Sequence, residues 1–152
     1  MPDIDRERVD LYLVEIRESL AVLKNITDGS SVEDFAGDQI KVRAMKYTLV
    51  VMVEAICNLF RHILAKRFHQ VVEEYMETVI KIREKGVLSK AIAEKLIPLT
   101  KLRHQLIHGY WKTDNKRLFE ETRYNLSAIE TLMTEMNTFL ISLQKKDDTS
   151  EV

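Results

Sequence analysis

The segment from Arg103 to Tyr110 holds side chains that could together cleave a phosphodiester bond. It reads Arg-His-Gln-Leu-Ile-His-Gly-Tyr, so one guanidinium, two imidazoles and one phenol fall within eight residues. A guanidinium stays protonated and offers a planar fork of donors that matches a phosphate. An imidazole titrates near neutral pH and can therefore take or give a proton. Together these groups are a minimal set for cleaving RNA without a metal ion, since the ribose 2'-hydroxyl is an internal nucleophile.

Each of these side chains is expected to have its own role. The pattern predicts that Arg103 holds the scissile phosphate and that His108 acts as general acid or base. Tyr110 can orient the phosphate by hydrogen bonding, and His104 is predicted to be auxiliary. One chain offers few groups for concerted proton transfer, whereas two chains meeting at this segment would supply a pair of each group. The expected assembly is therefore a homodimer.

Helical geometry divides the segment between two faces. The preceding apolar positions are Ile92, Leu96 and Leu99. Four residues further along the same face lies Arg103, where a buried charge would need a partner. Tyr110 shares that face if the helix continues so far, while His104 and His108, four residues apart, share the neighbouring face. Gly109 is a candidate for ending the helix.

The elements that must position these side chains are predicted to be helices, because apolar residues recur at steps of three and four. The expected helices are one with apolar positions from Val9 to Leu23, one over 39–68, one with apolar positions from Val72 to Ile82, one over about 89–108 and one over about 115–144. Residues 39–68 are apolar on several faces, which is typical of a central helix. A capping box at Ser31 predicts a further short helical segment, and Asp114 is a candidate N-cap. The fold class is therefore all-α, an up-and-down bundle of about five helices.

Length and composition favour one globular domain. The chain has 152 residues, with 45% apolar and 31% charged residues. We expect the domain to cover residues 1–144 and a charged, flexible tail to cover 145–152. The N-terminus lacks the apolar core of a signal peptide, and the longest apolar run, Thr48 to Val53, is short for a membrane span. These features predict a cytoplasmic protein without membrane attachment.

The net charge of −1 gives no global attraction for nucleic acid, so RNA binding would need a local basic patch. One group of basic residues surrounds the motif: Lys101, Arg103, Lys112, Lys116 and Arg117. Asp114 is the acidic residue among them. A second basic run is formed by Arg61, Lys66 and Arg67. Together the two groups could follow a phosphate backbone, although such a run is also typical of a solvated face.

Structural roles for the same residues remain open. Arg103 could simply form an ion pair with Glu54, and Glu54 could equally aim Arg103 at a phosphate. His108 could interact with a helix C-terminus without any catalytic role. The spacing of His104 and His108 would suit zinc, but no third ligand is evident, so neither a metal site nor a cofactor is predicted. Cys57 is expected to be buried and unreactive, whereas His62 and His69 are expected at the surface.

The arrangement around the motif resembles the HEPN family of small all-helical proteins. The R-x-x-x-x-H core spans Arg103 to His108, His104 supplies the polar residue after the arginine, and Tyr110 follows two places after the second histidine. This extended form resembles the HepT toxins of HEPN–MNT toxin–antitoxin pairs. The likeness covers most of the chain. It includes the apolar helix with internal Glu54, then a helix marked by Phe68 and Tyr75, the Gly86-Val87-Leu88 break and a final helix that follows an aspartate.

The resemblance implies a five-helix bundle that forms a homodimer with the motif at its interface, and RNase activity without a metal. It also implies a cognate partner, a minimal nucleotidyltransferase antitoxin that neutralises the toxin and can transfer AMP to the motif tyrosine, here Tyr110. Gly109 departs from the family pattern, where a bulkier residue is expected before the motif tyrosine. The alternative function is a non-catalytic helical adaptor or nucleotide-binding subunit of such a nucleotidyltransferase. In that case the same residues bind phosphate without cleavage.

Overall fold

The computed structural model describes residues 3–109 and 114–150, which form six α-helices and no strands. The helices are α1 (Arg6–Asp28), α2 (Val32–Ala36), α3 (Gln39–Phe68), α4 (Tyr75–Glu84), α5 (Lys90–Ile107) and α6 (Asn115–Ser150). The predicted all-α bundle is confirmed. The short α2 begins at the predicted capping box, where the Asp34 backbone N–H donates to Ser31 Oγ at 3.1 Å.

The central element is α3, which packs against α1, α2, α4 and α5. Its start is capped by Asp38, whose carboxylate accepts from the backbone N–H groups of Ile40 and Lys41. Averaged over 18 residues, α3 is apolar enough to cross a membrane, but 61% of that window is buried inside the bundle. Helix α3 is therefore the core helix that its apolar faces predicted.

The start of α5 is fixed against α6 by a two-point contact. The Ser89 backbone N–H donates to Glu135 Oε1 at 2.7 Å, and Ser89 Oγ donates to Oε2 of the same carboxylate at 3.0 Å. Asp114 caps α6 as predicted, because its Oδ1 accepts from the N–H groups of Lys116 and Arg117 at 3.0 and 3.3 Å. The contact of Ser89 with Glu135 thus anchors α5, the helix that carries the motif, at the end opposite to the motif.

Two predicted helix boundaries were wrong. The last helix continues past Gln144 to Ser150, although residues 145–149 are exposed. The predicted helix ended at Gln144 because no apolar positions follow it. Backbone hydrogen bonds can nevertheless continue a helix whose side chains are exposed. Thr149 also donates from its hydroxyl group to the carbonyls of Lys145 and Lys146. Val72 lies in the connection between α3 and α4 rather than on a helix, and its side chain is buried there. The domain boundary at residue 144 stays a prediction.

The expected surface position of His62 was also wrong. Its side chain is buried with 7% exposure, and its Nε2 accepts a hydrogen bond from the Asp5 backbone N–H at 3.0 Å. Burial, and then the positive charges of Arg8 and Lys66, lower the pKa of His62. An acceptor nitrogen must be unprotonated, so the neutral imidazole ties the start of α1 to α3. His69, by contrast, is exposed as expected.

Candidate active site

Arg103 lies on α5 with its side chain turned into the bundle. Only 15% of the side chain is exposed, and its Nη2 atom lies 2.9 Å from Oε1 of Glu54 on α3. The sequence predicted that a charge at this point of the apolar face needs a partner, and Glu54 is that partner. The Glu54 side chain is 39% exposed, so the ion pair sits at the edge of the core rather than in its centre. The pair orients the guanidinium of Arg103.

A tyrosine at the start of α4, Tyr75, also contacts Arg103. The centroid of the Tyr75 ring lies 4.1 Å from the guanidinium carbon of Arg103 and 4.4 Å from that of Arg61. Arg61 in turn donates to Asn58 Oδ1 at 3.2 Å and to the backbone carbonyl of Glu73 at 2.7 Å. Tyr75 thus joins two arginines from different helices. No spacing along the chain signals such a contact.

His104 and His108 form an exposed pair at the end of α5. Their ring centroids lie 4.2 Å apart with an interplanar angle of 48°, which confirms that they share a face. His108 follows the last helical residue, and its backbone N–H donates to the carbonyl of His104 at 3.1 Å. Gly109 has a positive φ of 72°, the left-handed conformation expected where a helix ends. Both imidazoles therefore face solvent and are open to a substrate.

One chain does not collect Arg103 and the imidazoles around one point. Five helical positions separate Arg103 from His108, which places them about 140° apart around the helix axis. Arg103 accordingly contacts α3 and α4, whereas His104 and His108 are exposed. Tyr110 lies outside the described residues, as do Trp111 and Lys112, and so a common face for Arg103 and Tyr110 stays a prediction.

The groove beside the motif carries acidic as well as basic side chains. An open groove of about 940 Å³ runs between α5 and α6 and includes His104 and Lys101 in its lining. Arg117 in this groove is paired with Glu121 at 2.7 Å, and Glu94 also lines it. Acidic residues that are distant from the motif in sequence thus offset part of the positive charge.

Cys57 and a metal site are the other two possibilities that the sequence raised. Cys57 is buried and free, and burial raises its thiol pKa to about 12, so the thiol stays protonated and unreactive, as predicted. Within 3–109 and 114–150, no group of three or more His, Cys, Asp or Glu residues is placed to hold a metal ion.

An all-helical bundle whose motif helix carries an ion-paired arginine and an exposed histidine pair has the features of a HEPN-type domain. Comparison with known proteins identifies the family. The family model described as ribonuclease HepT-like matches residues 16–136, which is most of the chain. The chain therefore belongs to the HepT-like ribonuclease family.

One curated protein and two solved structures are similar to this chain. The tRNA nuclease HepT of Aphanizomenon flos-aquae (strain 2012/KM1/D3) is 22% identical over 148 residues, which cover 97% of this chain and 100% of that protein. The structure of YutE, a Bacillus subtilis cytosolic protein of unknown function, has a TM-score of 0.81 at 15% identity, covering 93% of this chain and 94% of that one. The tri-AMPylated Shewanella oneidensis HEPN toxin, solved in complex with its MNT antitoxin, has a TM-score of 0.77 at 14% identity, covering 86% and 97%.

Proposed function

We propose that this protein is a metal-independent endoribonuclease that acts as the toxin of a toxin–antitoxin pair. Arg103 holds the scissile phosphate and stabilises the charge that develops on it. His108 removes the proton of the ribose 2'-hydroxyl or protonates the leaving 5'-oxygen. His104 assists, Glu54 aims Arg103, and Tyr110 orients the phosphate. The 2'-oxygen bonds to phosphorus as the bond to the 5'-oxygen breaks, so the expected products carry a 2',3'-cyclic phosphate and a 5'-hydroxyl.

The pairing of Arg103 with Glu54 carries this proposal. A surface arginine would sample many conformations, whereas this guanidinium donates from Nη2 to Glu54 and has low exposure. Donors held in place before the reaction stabilise developing charge without reorganising during it. The exposed imidazoles of His104 and His108 on the adjacent face supply groups that can accept or donate a proton.

The separation of Arg103 from His108 on one helix supports a composite site in a homodimer. Two copies that pack through the exposed end of α5 would place the guanidinium and imidazole groups of both chains around one phosphate. An exposed apolar residue, Ile107, is the last residue of α5 and directly precedes His108, with 46% of its surface accessible. Burying it in a dimer would be favourable.

Relatives suggest the partner and the substrate class. One similar structure is a tri-AMPylated HEPN toxin in complex with an MNT antitoxin. We therefore propose that a minimal nucleotidyltransferase antitoxin neutralises this protein in the cytoplasm by transferring AMP from ATP to the phenol oxygen of Tyr110, with release of pyrophosphate. Because a relative along the whole chain is named a tRNA nuclease, tRNA is the first RNA to test.

The test is RNA cleavage by purified protein in the presence of EDTA. Wild type should cleave tRNA, and Arg103→Ala should lose at least about a hundredfold in rate while its circular dichroism spectrum is retained. The matched control is Arg83→Ala, because Arg83 is an exposed arginine on α4, and its rate should equal that of wild type. Equal cleavage by Arg103→Ala would contradict the proposal. RNA binding by wild type with no cleavage at any concentration would instead support a non-catalytic adaptor.

A further inference from the structure

The first residue of α4, Tyr75, contacts the guanidinium of Arg103 from a different helix. We propose that Tyr75 is a positioning residue, which sets the plane of the Arg103 guanidinium through the face of its ring. This inference rests on the proposed role of Arg103 and adds a residue outside the R-x-x-x-x-H-x-Y motif. The supporting contact is the distance of 4.1 Å between the Arg103 guanidinium carbon and the Tyr75 centroid.

The ion pair with Glu54 alone leaves the guanidinium plane unrestrained. Among the described residues, the Arg103 side chain makes one hydrogen bond, from Nη2 to Oε1 of Glu54 at 2.9 Å, and this bond permits rotation of the guanidinium about the contact. The Nε atom of Arg103 is buried and has no hydrogen-bond partner among the described residues, so it adds no second restraint. A guanidinium stacks on an aromatic face through cation–π attraction and planar contact, which restrains its tilt. Bidentate binding of a phosphate requires such a fixed plane.

Arg61 supports Tyr75 at its place in the fold. Its guanidinium carbon lies 4.4 Å from the same ring centroid, and its Nη2 donates to the Glu73 carbonyl at 2.7 Å. The N-cap residue of α4, Glu74, makes no side-chain capping hydrogen bond. The contacts of Arg61 with Tyr75 and with the Glu73 carbonyl therefore help to hold the start of α4 in place.

The charges of the cluster suit an anion. Arg61 and Arg103 both contact Tyr75, while Glu54 is the carboxylate that pairs with Arg103. Nη1 and Nη2 of Arg61 each donate one hydrogen bond, to Asn58 and to the Glu73 carbonyl, and these bonds hold Arg61 against the Tyr75 ring. The residue that presents donors to the substrate remains Arg103, and Tyr75 determines their orientation.

The proposed role of Tyr75 depends on the face of its ring and not on its hydroxyl group. Two substitutions separate these features. Tyr75→Phe keeps the face and should cleave tRNA at the wild-type rate. Tyr75→Leu removes it and should lower kcat roughly tenfold with little change in KM, because orientation matters most for charge that develops in the transition state. Tyr75→Met serves as a second non-aromatic variant if Tyr75→Leu does not fold. Tyr12→Leu is the control, since Tyr12 contacts an arginine on α1, away from α5.

A second readout does not depend on cleavage. In ¹H–¹⁵N spectra, the Arg103 Nε–H signal, assigned by its loss in Arg103→Lys, should be shifted by the ring in wild type and in Tyr75→Phe. It should return to the ordinary arginine position in Tyr75→Leu and Tyr75→Met. If wild type cleaves no RNA but the signal behaves in this way, the proposed function fails and the positioning role stands. Folded Tyr75→Leu or Tyr75→Met with an unchanged Arg103 signal, or with wild-type kcat, would overturn the role of Tyr75.

Discussion

Arg103 on α5 and Glu54 on α3 are joined by a contact of 2.9 Å between Nη2 and Oε1, across 49 residues of sequence. The contact links the motif helix to the central helix of the bundle. It also allows a guanidinium with 15% side-chain exposure to lie at the edge of an apolar core. The stability of the bundle and the geometry of the candidate site therefore depend on the same pair of residues.

Removing the carboxylate should affect both stability and cleavage. Glu54→Gln is expected to lower the free energy of unfolding by about 1–2 kcal/mol, because a mostly buried guanidinium loses its charged partner while solvent still screens the pair. Urea denaturation followed by circular dichroism measures this change, and the RNA cleavage rate should fall with it. Glu121→Gln, which breaks the exposed pair with Arg117, is the control and should change stability less. Unaltered stability and cleavage in Glu54→Gln would show that the ion pair with Glu54 does not position the Arg103 guanidinium.

Stability should depend on pH through His62. Its pKa is lowered in the folded protein, chiefly by burial and then by Arg8 and Lys66. In the unfolded chain His62 takes up a proton at about pH 6.5, whereas in the folded protein it does so only at lower pH. The contribution of neutral His62 to the free energy of unfolding is therefore fully present above about pH 6.5. It is lost as pH falls from 6.5 through the folded pKa.

The measurement is the free energy of unfolding by urea between pH 7.5 and 5. We expect a decrease with falling pH in wild type and a weaker decrease in His62→Gln, whose amide oxygen can still accept from the Asp5 N–H. His69→Asn should keep the wild-type dependence, since His69 is exposed and its φ of 54° is one that asparagine tolerates. A His62→Gln profile parallel to that of wild type would assign the pH dependence to other groups.

The composite site predicts that assembly and cleavage are lost together. Ile107→Glu puts a charge on an apolar residue with 46% exposure beside the imidazole pair, and a dimer that buries this position should dissociate. Light scattering after size-exclusion chromatography measures the mass, and the same fractions are assayed for RNA cleavage. Ile141→Glu is the control, because Ile141 is a similarly exposed isoleucine (54%) on α6. A monomeric Ile107→Glu variant with full activity would refute the composite site.

The periodicity of the sequence predicted the helices and their faces more completely than it predicted contacts between helices. The step from Leu99 to Arg103 on an apolar face required a partner, and Glu54 is that partner. The contact of Tyr75 with Arg103 and the burial of His62 were not predicted, for one shared reason. Their contacts with Arg103 and with the Asp5 backbone depend on how helices pack across the bundle, which helical spacing does not specify. The face expected for Tyr110 lies outside the described residues and stays a prediction.

The most direct test of the account is the rate of tRNA cleavage in EDTA by His108→Ala relative to wild type. General acid–base catalysis contributes on the order of a hundredfold or more, so His108→Ala should be slower by at least that factor while remaining folded. His69→Asn, which alters another exposed histidine, should cleave at the wild-type rate. A folded His108→Ala variant that cleaves tRNA as fast as wild type would contradict the assignment of the active site to the end of α5.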